Sequence, residues 1–169
     1  MDQAQVPQPE TISLQRGKQI MKKQSSTKQV FLSHARNDND LANALAKELR
    51  SRGFKVWDDQ SIGSGLDWSD QIKRALQDSD SMIALLNQHS YSSSYVRNEL
   101  EYALFEDEYK NRLLPVFVGS TSDTEFVRLP WVLTKLEYLK LSERGSLDAK
   151  AIKIADRFSA LLRSKRSDQ

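Results

Sequence analysis

The run Ser81-Met82-Ile83-Ala84-Leu85-Leu86 is apolar without a break after its first residue. A strand with one wet face alternates, so an unbroken run of this length predicts a central parallel strand covered on both faces. Four further segments fit the same sheet. Gln29-Val30-Phe31-Leu32-Ser33 is short and apolar, and Phe54-Lys55-Val56-Trp57 runs into Asp58-Asp59. Leu113-Leu114-Pro115-Val116-Phe117-Val118 reads as a fourth strand. Leu136-Glu137-Tyr138-Leu139-Lys140-Leu141 alternates, which suits a fifth strand nearer an edge. Helical spacing fills the intervals. Leu41, Leu45 and Leu49 share a helix face, with Asp38, Asn39 and Asp40 supplying N-cap chemistry and Gly53 suited to the C-terminal cap. Trp68, Ile72 and Leu76 mark a second helix and Ser94 opens a third. Ile152, Ile154, Ala155, Phe158, Leu161 and Leu162 form a last amphipathic one.

Strands alternating with helices predict an α/β fold. Right-handed crossovers and short connections favour a flavodoxin-like five-stranded parallel sheet of order 2-1-3-4-5, with helices on both faces. Such a sheet binds ligands outside the carboxyl ends of its strands, here between the first and third. Ser33 to Arg36, the loop from Asp58 to Trp68, and Leu86 to Glu99 line that crevice. Residues 1–27 are polar, with Pro7 and Pro9, and read as a disordered or weakly helical tail. The domain is expected over 28–163, followed by a basic flexible tail over 164–169. No internal repeat is present.

Composition removes several function classes. There are no cysteines, which excludes disulfides, zinc–thiolate sites and thiol catalysis. Two histidines, His34 and His89, leave little for a metal cluster, so no metal site is expected. A net charge of +2 is too balanced to argue for nucleic acid. No apolar run approaches the roughly 20 residues of a membrane span, and the N-terminus lacks the layout of a signal peptide. A cytoplasmic protein is the expectation.

One acid stands out. In the helix from Ser94, at about 100° per residue, Val96, Leu100 and Ala103 form an apolar stripe. Glu99 lies roughly 40° from Ala103 and borders that stripe, whereas Glu101 falls on the opposite, solvated side. Tyr95 and Tyr102 stand four residues before and three after Glu99, close enough to flank it. Two readings stay open: a functional carboxylate in the crevice, or one half of a structural ion pair.

Other constellations carry less. Gly63-Ser64-Gly65 follows the second strand, and no G-x-G-x-x-G opens the first helix, so the dinucleotide fingerprint is absent. Ser33-His34 is no nucleophile–base pair, since adjacent strand residues point to opposite sides and no nucleophile elbow surrounds the serine. Asp58 and Asp59 lack the acids after the first and third strands that a phosphoacceptor site needs. Trp68 fits either a core position or a stacking platform. Arg36 fits either plain surface or a strand-end contact to phosphate oxygens.

Taken in order, these segments resemble the Toll/interleukin-1 receptor (TIR) domain family. Val30-Phe31-Leu32-Ser33-His34-Ala35 is similar to its first-strand box, and Gly53-Phe54-Lys55-Val56-Trp57-Asp58-Asp59 to its second strand. Ile62-Gly63-Ser64-Gly65 with Trp68 and Ile72 resembles the flexible loop and following helix. Ser94-Tyr95-Val96-Arg97-Asn98-Glu99-Leu100 resembles the S-x-W-V-x-x-E region, with Tyr95 where tryptophan is usual. The likeness runs from about residue 28 to 163, and His34-Ala35-Arg36 looks like the bacterial variety.

The resemblance implies an enzyme that cleaves NAD+ at the nicotinamide–ribose bond, giving ADP-ribose or a cyclic signalling nucleotide. It implies Glu99 as the catalytic residue and His34, Ala35, Arg36, Gly65, Trp68 and Tyr95 around the nucleotide. NAD+ is then the substrate, with no further cofactor. Nicotinamide already leaves as a cationic group and needs no general acid, so one carboxylate can serve where glycosidases use two. The implied partners are other copies of the domain, through TIR–TIR contacts, and a separate effector that senses the product. As an isolated domain the chain is similar to the stand-alone TIR component of Thoeris-type anti-phage defence. Two competing classes remain: a non-catalytic interaction module acting by self-assembly, and a nucleoside deoxyribosyltransferase, which shares the α/β layout and a catalytic glutamate.

Overall fold

Apolar strands and amphipathic helices alternate in the folded chain as the pattern requires. The strands are β1 (Gln29–Ser33), β2 (Lys55–Asp58), β3 (Ser81–Leu86), β4 (Leu113–Val118) and β5 (Leu139–Leu141). The helices are α1 (Asn39–Ser51), α2 (Trp68–Asp78), α3 (Ser94–Phe105) and α4 (Leu147–Ser164). This is a computed structural model, and it describes residues 28–58, 67–87, 89–109, 111–119 and 131–164. Both expected tails lie outside the described residues, except that Ser164 ends α4.

All strand pairs are parallel, in the order β2-β1-β3-β4-β5. The expected 2-1-3-4-5 topology is therefore the one observed. β3 explains why its sequence does not alternate. Met82, Ala84 and Leu86 point into one core layer with Leu76 of α2 and Val96, Leu100 and Ala103 of α3. Ile83 and Leu85 point into the other, with Leu45 and Leu49 of α1 and Ile154 and Phe158 of α4. Both faces are covered, so Met82 to Leu86 are apolar without alternation.

Local chemistry sets the element ends. At the end of α1 the Gly53 amide donates to the Arg50 carbonyl at 3.0 Å, and the Phe54 amide to the Leu49 carbonyl at 3.1 Å. This pair of bonds is the Schellman arrangement, and Gly53 supplies its left-handed residue at φ 87°. Phe54 is thereby used in the cap, so β2 begins at Lys55, one residue later than the apolar run suggests. β5 has three residues instead of six, because it pairs only with Val116, Phe117 and Val118. Pro115, which has no amide proton to donate, precedes the first of those pairs and is tolerated inside β4.

Asp38 departs from expectation. It occupies the N-cap position of α1, yet its side chain makes no capping bond. Its carboxylate is held instead from across the sheet, by Asn87.

Candidate functional site at the carboxyl ends of β1 and β3

The chain passes from β2 over β1 to reach β3, so β1 and β3 flank the switch point of the sheet. Ser33, the last residue of β1, is in register with Ala84 of β3. Alternation along β1 puts Ser33 on the side of Phe31, toward α2 and α3, and Leu32 on the side of α1 and α4.

α3 brings Glu99 to this point. The Ser93 hydroxyl accepts from the Val96 amide and caps the helix, which then presents Val96, Leu100 and Ala103 to the core. Glu99 is only 7% exposed. It is buried with the stripe instead of merely bordering it. The Ser33 hydroxyl, 1% exposed, donates to Glu99 Oε2 at 2.5 Å. Glu99 is the sixth residue of α3, past the first turn where the helix dipole acts most strongly. The Ser33 hydroxyl thus gives the carboxylate polar support from β1. Glu101 is exposed, as its place on the wheel requires.

Aromatic rings stand over the same face. Tyr95, one helical turn before Glu99, meets Trp68 of α2 edge to face, with centroids 4.6 Å apart and planes at 84°. Tyr95 is 56% exposed and Trp68 half-buried, so the pair forms a rim and not a core contact. Deeper, Trp57 stacks on Phe31 with centroids 4.5 Å apart. Tyr102 is turned to Tyr109.

His34 faces the other way. Its Nε2 lies 3.1 Å from Asp58 Oδ1 and its Nδ1 3.1 Å from the Ala35 carbonyl oxygen. Both neighbours are acceptors, so both contacts are hydrogen bonds only when the ring carries two protons. The Ser33–His34 dyad is thus divided between two faces, as strand alternation predicts. Ala35 is buried, and Arg36 is exposed in the short 3-10 turn that follows β1. Gly65 lies outside the described residues, with the rest of its loop.

A second buried acid lies in the turn after β1. Asn87 Nδ2 donates to both oxygens of Asp38, at 2.7 and 2.8 Å, tying the loop after β3 to the turn after β1. Asn87 Oδ1 accepts from the His89 and Ser90 amides at 2.8 and 3.1 Å. Burial pushes the Asp38 carboxyl above its ordinary range, against the opposing pull of His34 and the Asn87 bond. Of the residues singled out in the sequence, Glu99, Trp68 and Tyr95 share one side of the crevice, while the His34 ring does not join them. Ser33 as partner to Glu99 and Asn87 as partner to Asp38 were not visible in advance. Parity with Phe31 is a signal for the first. An asparagine three residues before a serine at a buried strand's end is one for the second, since it marks an Asx turn. Among the described residues no group of three His, Asp or Glu is placed to hold a metal ion. None of their helices is long and apolar enough to cross a membrane.

A profile of the TIR domain matches residues 30–155. The chain belongs to the TIR-domain family. Among solved structures it is similar to the TIR domain of the Toll-related receptor TRR-2 from Hydra magnipapillata, at 18% identity and a TM-score of 0.58. That match covers 81% of this chain and 97% of the other. It is also similar to a TIR-STING receptor from C. gigas, solved in complex with 2',3'-cGAMP, at 22% identity and a TM-score of 0.59. There the match covers 75% of this chain and 38% of that receptor. A diflavin flavoprotein from Nostoc aligns over 86% of the chain at 8% identity and a TM-score of 0.51. At such identities the likeness concerns the fold, which TIR domains share with flavodoxin-like proteins. No curated protein matches the chain significantly.

Proposed function

We propose that this TIR domain cleaves NAD+ at the nicotinamide–ribose bond, with Glu99 as its catalytic residue. The observation that supports this most is a glutamate buried at the carboxyl edge of a doubly wound sheet, beneath an aromatic rim. Ligands of this fold bind at that place. In the reaction the bond between ribose C1′ and the nicotinamide nitrogen breaks, and its electron pair leaves with nicotinamide, which becomes neutral. Positive charge builds on the ribose, and the Glu99 carboxylate stabilises it electrostatically. Water then attacks C1′ and releases a proton, giving ADP-ribose. Alternatively a nucleophile on the adenosine end attacks, loses its proton and closes a cyclic product. Trp68 and Tyr95 wall the nucleotide, and Ala35 and Arg36 border it at the end of β1. His34 contributes by holding β1 to β2 through Asp58. Production of a nucleotide signal for a separate effector in bacterial anti-phage defence is the biological role that fits this chemistry, with self-association of TIR domains as its trigger.

Incubating the full chain with NAD+ at high protein concentration, followed by mass spectrometry, tests activity and product together. Nicotinamide release is expected from the wild type and none from Glu99→Gln, which preserves size and a hydrogen-bonding oxygen but not the charge. Equal turnover by both proteins, with unchanged circular dichroism, removes Glu99 from the reaction. The second reading, an interaction module without catalysis, is favoured by one observation: Phe105 and Trp131 are 87% and 73% exposed. It predicts that Glu99→Ala leaves partner binding intact.

A further inference from the structure

We infer that Ser33 is a positioning residue for Glu99: its hydroxyl, fixed at the end of β1, holds Oε2 of the carboxylate at 2.5 Å and keeps it ionised and aimed. The inference rests on Glu99 being the catalytic group. It begins from the serine that the nucleophile–base reading leaves without a purpose.

The environment of Ser33 makes the bond rigid. All five residues of β1 are buried, and the strand is paired on both sides, by β2 and by β3. A side-chain hydroxyl on such a strand has one rotatable bond before its oxygen, so Oγ has little freedom. Glu99 has three torsions between backbone and carboxylate and sits on a different element, 66 residues away in sequence. Both groups are buried, and a buried hydroxyl or carboxylate is stable only when hydrogen-bonded, which gives this contact its weight. A hydroxyl donating to a carboxylate stabilises the charged form over the neutral one. The ionised form is what electrostatic stabilisation of the ribosyl charge demands. Ser33 thus contributes the preorganisation and the charge state of a group that itself acts on the substrate. No nucleophilic role is left for it, since the neighbouring imidazole is turned to Asp58.

Ser33→Ala, Ser33→Thr and Glu99→Gln in the full chain test this. Ser33→Ala is expected to lower kcat roughly tenfold or more with KM changed less than twofold, from the loss of one hydrogen bond to a charged group. The acid limb of its kcat profile moves upward by about one pH unit, because the carboxylate gains a proton more easily. Ser33→Thr, which keeps the hydroxyl, restores the position of that limb. A fall in kcat without movement of the limb means general damage and overturns the inference. A readout free of turnover accompanies these. In protein carrying 13C-labelled glutamate, the Glu99 carboxyl resonance is identified by its loss in Glu99→Gln, and its titration midpoint rises in Ser33→Ala. If the wild type leaves NAD+ intact while the midpoint still rises, the proposed reaction fails and the positioning stands. If NAD+ is cleaved and neither midpoint nor limb moves, the reaction stands and the positioning fails.

Discussion

Replacing Asn87 with alanine is expected to destabilise the domain by an amount that depends on pH in a definite direction. Asn87 Nδ2 donates to both oxygens of Asp38, a residue only 7% exposed. Removing the amide strips the buried charge of that donor, a loss of about 2 kcal/mol. The turn held by Asn87 Oδ1 on the His89 and Ser90 amides adds about 1 kcal/mol. Burial already raises the Asp38 carboxyl above 3.8 in the folded chain, and losing the Asn87 bond raises it further. A carboxyl raised on folding binds its proton more tightly in the folded state. Its contribution is most favourable below the unfolded value and is lost as pH rises through the folded one. The cost of Asn87→Ala is therefore about 3 kcal/mol near neutrality and shrinks toward the turn contribution as pH falls through the raised folded value and Asp38 takes up its proton. Urea titrations of wild type and Asn87→Ala at pH 7.5, 5.5 and 4 measure this directly. The same difference shifts the midpoint of thermal unfolding by roughly 10 °C at pH 7.5. The double variant Asp38→Ala/Asn87→Ala is expected to lie closer to wild type than additivity allows, because it leaves no stranded charge. A cost that is constant across the pH range, or full additivity, would falsify the reasoning.

Two other perturbations probe the scaffold. Gly53→Ala keeps open space around the new Cβ but places alanine at φ 87°, so a loss of about 1 kcal/mol is expected, read by chemical denaturation; a neutral result removes the cap's dependence on glycine. Tyr109→Phe deletes a buried hydroxyl that donates to the Leu76 carbonyl at 2.6 Å at the end of α2, and a loss of about 1 kcal/mol is expected with hydrogen exchange accelerating there first. Uniform exchange across the domain would show that the bond does not anchor α2.

How much of the site could be read in advance follows from the range of the interactions concerned. The Glu99 helix was legible because a wheel needs only neighbouring residues: Val96, Leu100 and Ala103 are buried and Glu101 is exposed, as periodicity alone requires. β1, β3 and β4 keep the limits of their apolar runs, since strands covered on both faces admit little else. β2 and β5 begin later than their runs because a helix cap takes Phe54 and because β5 pairs with three residues of β4. Asp38 looked like a capping residue from its neighbours, and became the partner of an asparagine 49 positions away.

The sequence by itself determined the fold class, the strand order and the helix face on which Glu99 lies. Each follows from local periodicity combined with general rules of chain handedness and crossover. Tertiary structure alone decided which groups stabilise the buried acids. Ser33 reaches Glu99, Asn87 reaches Asp38 and His34 reaches Asp58 only because parallel pairing brings the carboxyl ends of β1, β2 and β3 side by side. A hydrogen bond depends on atoms within about 3 Å, and chain positions dozens of residues apart carry no local trace of that proximity.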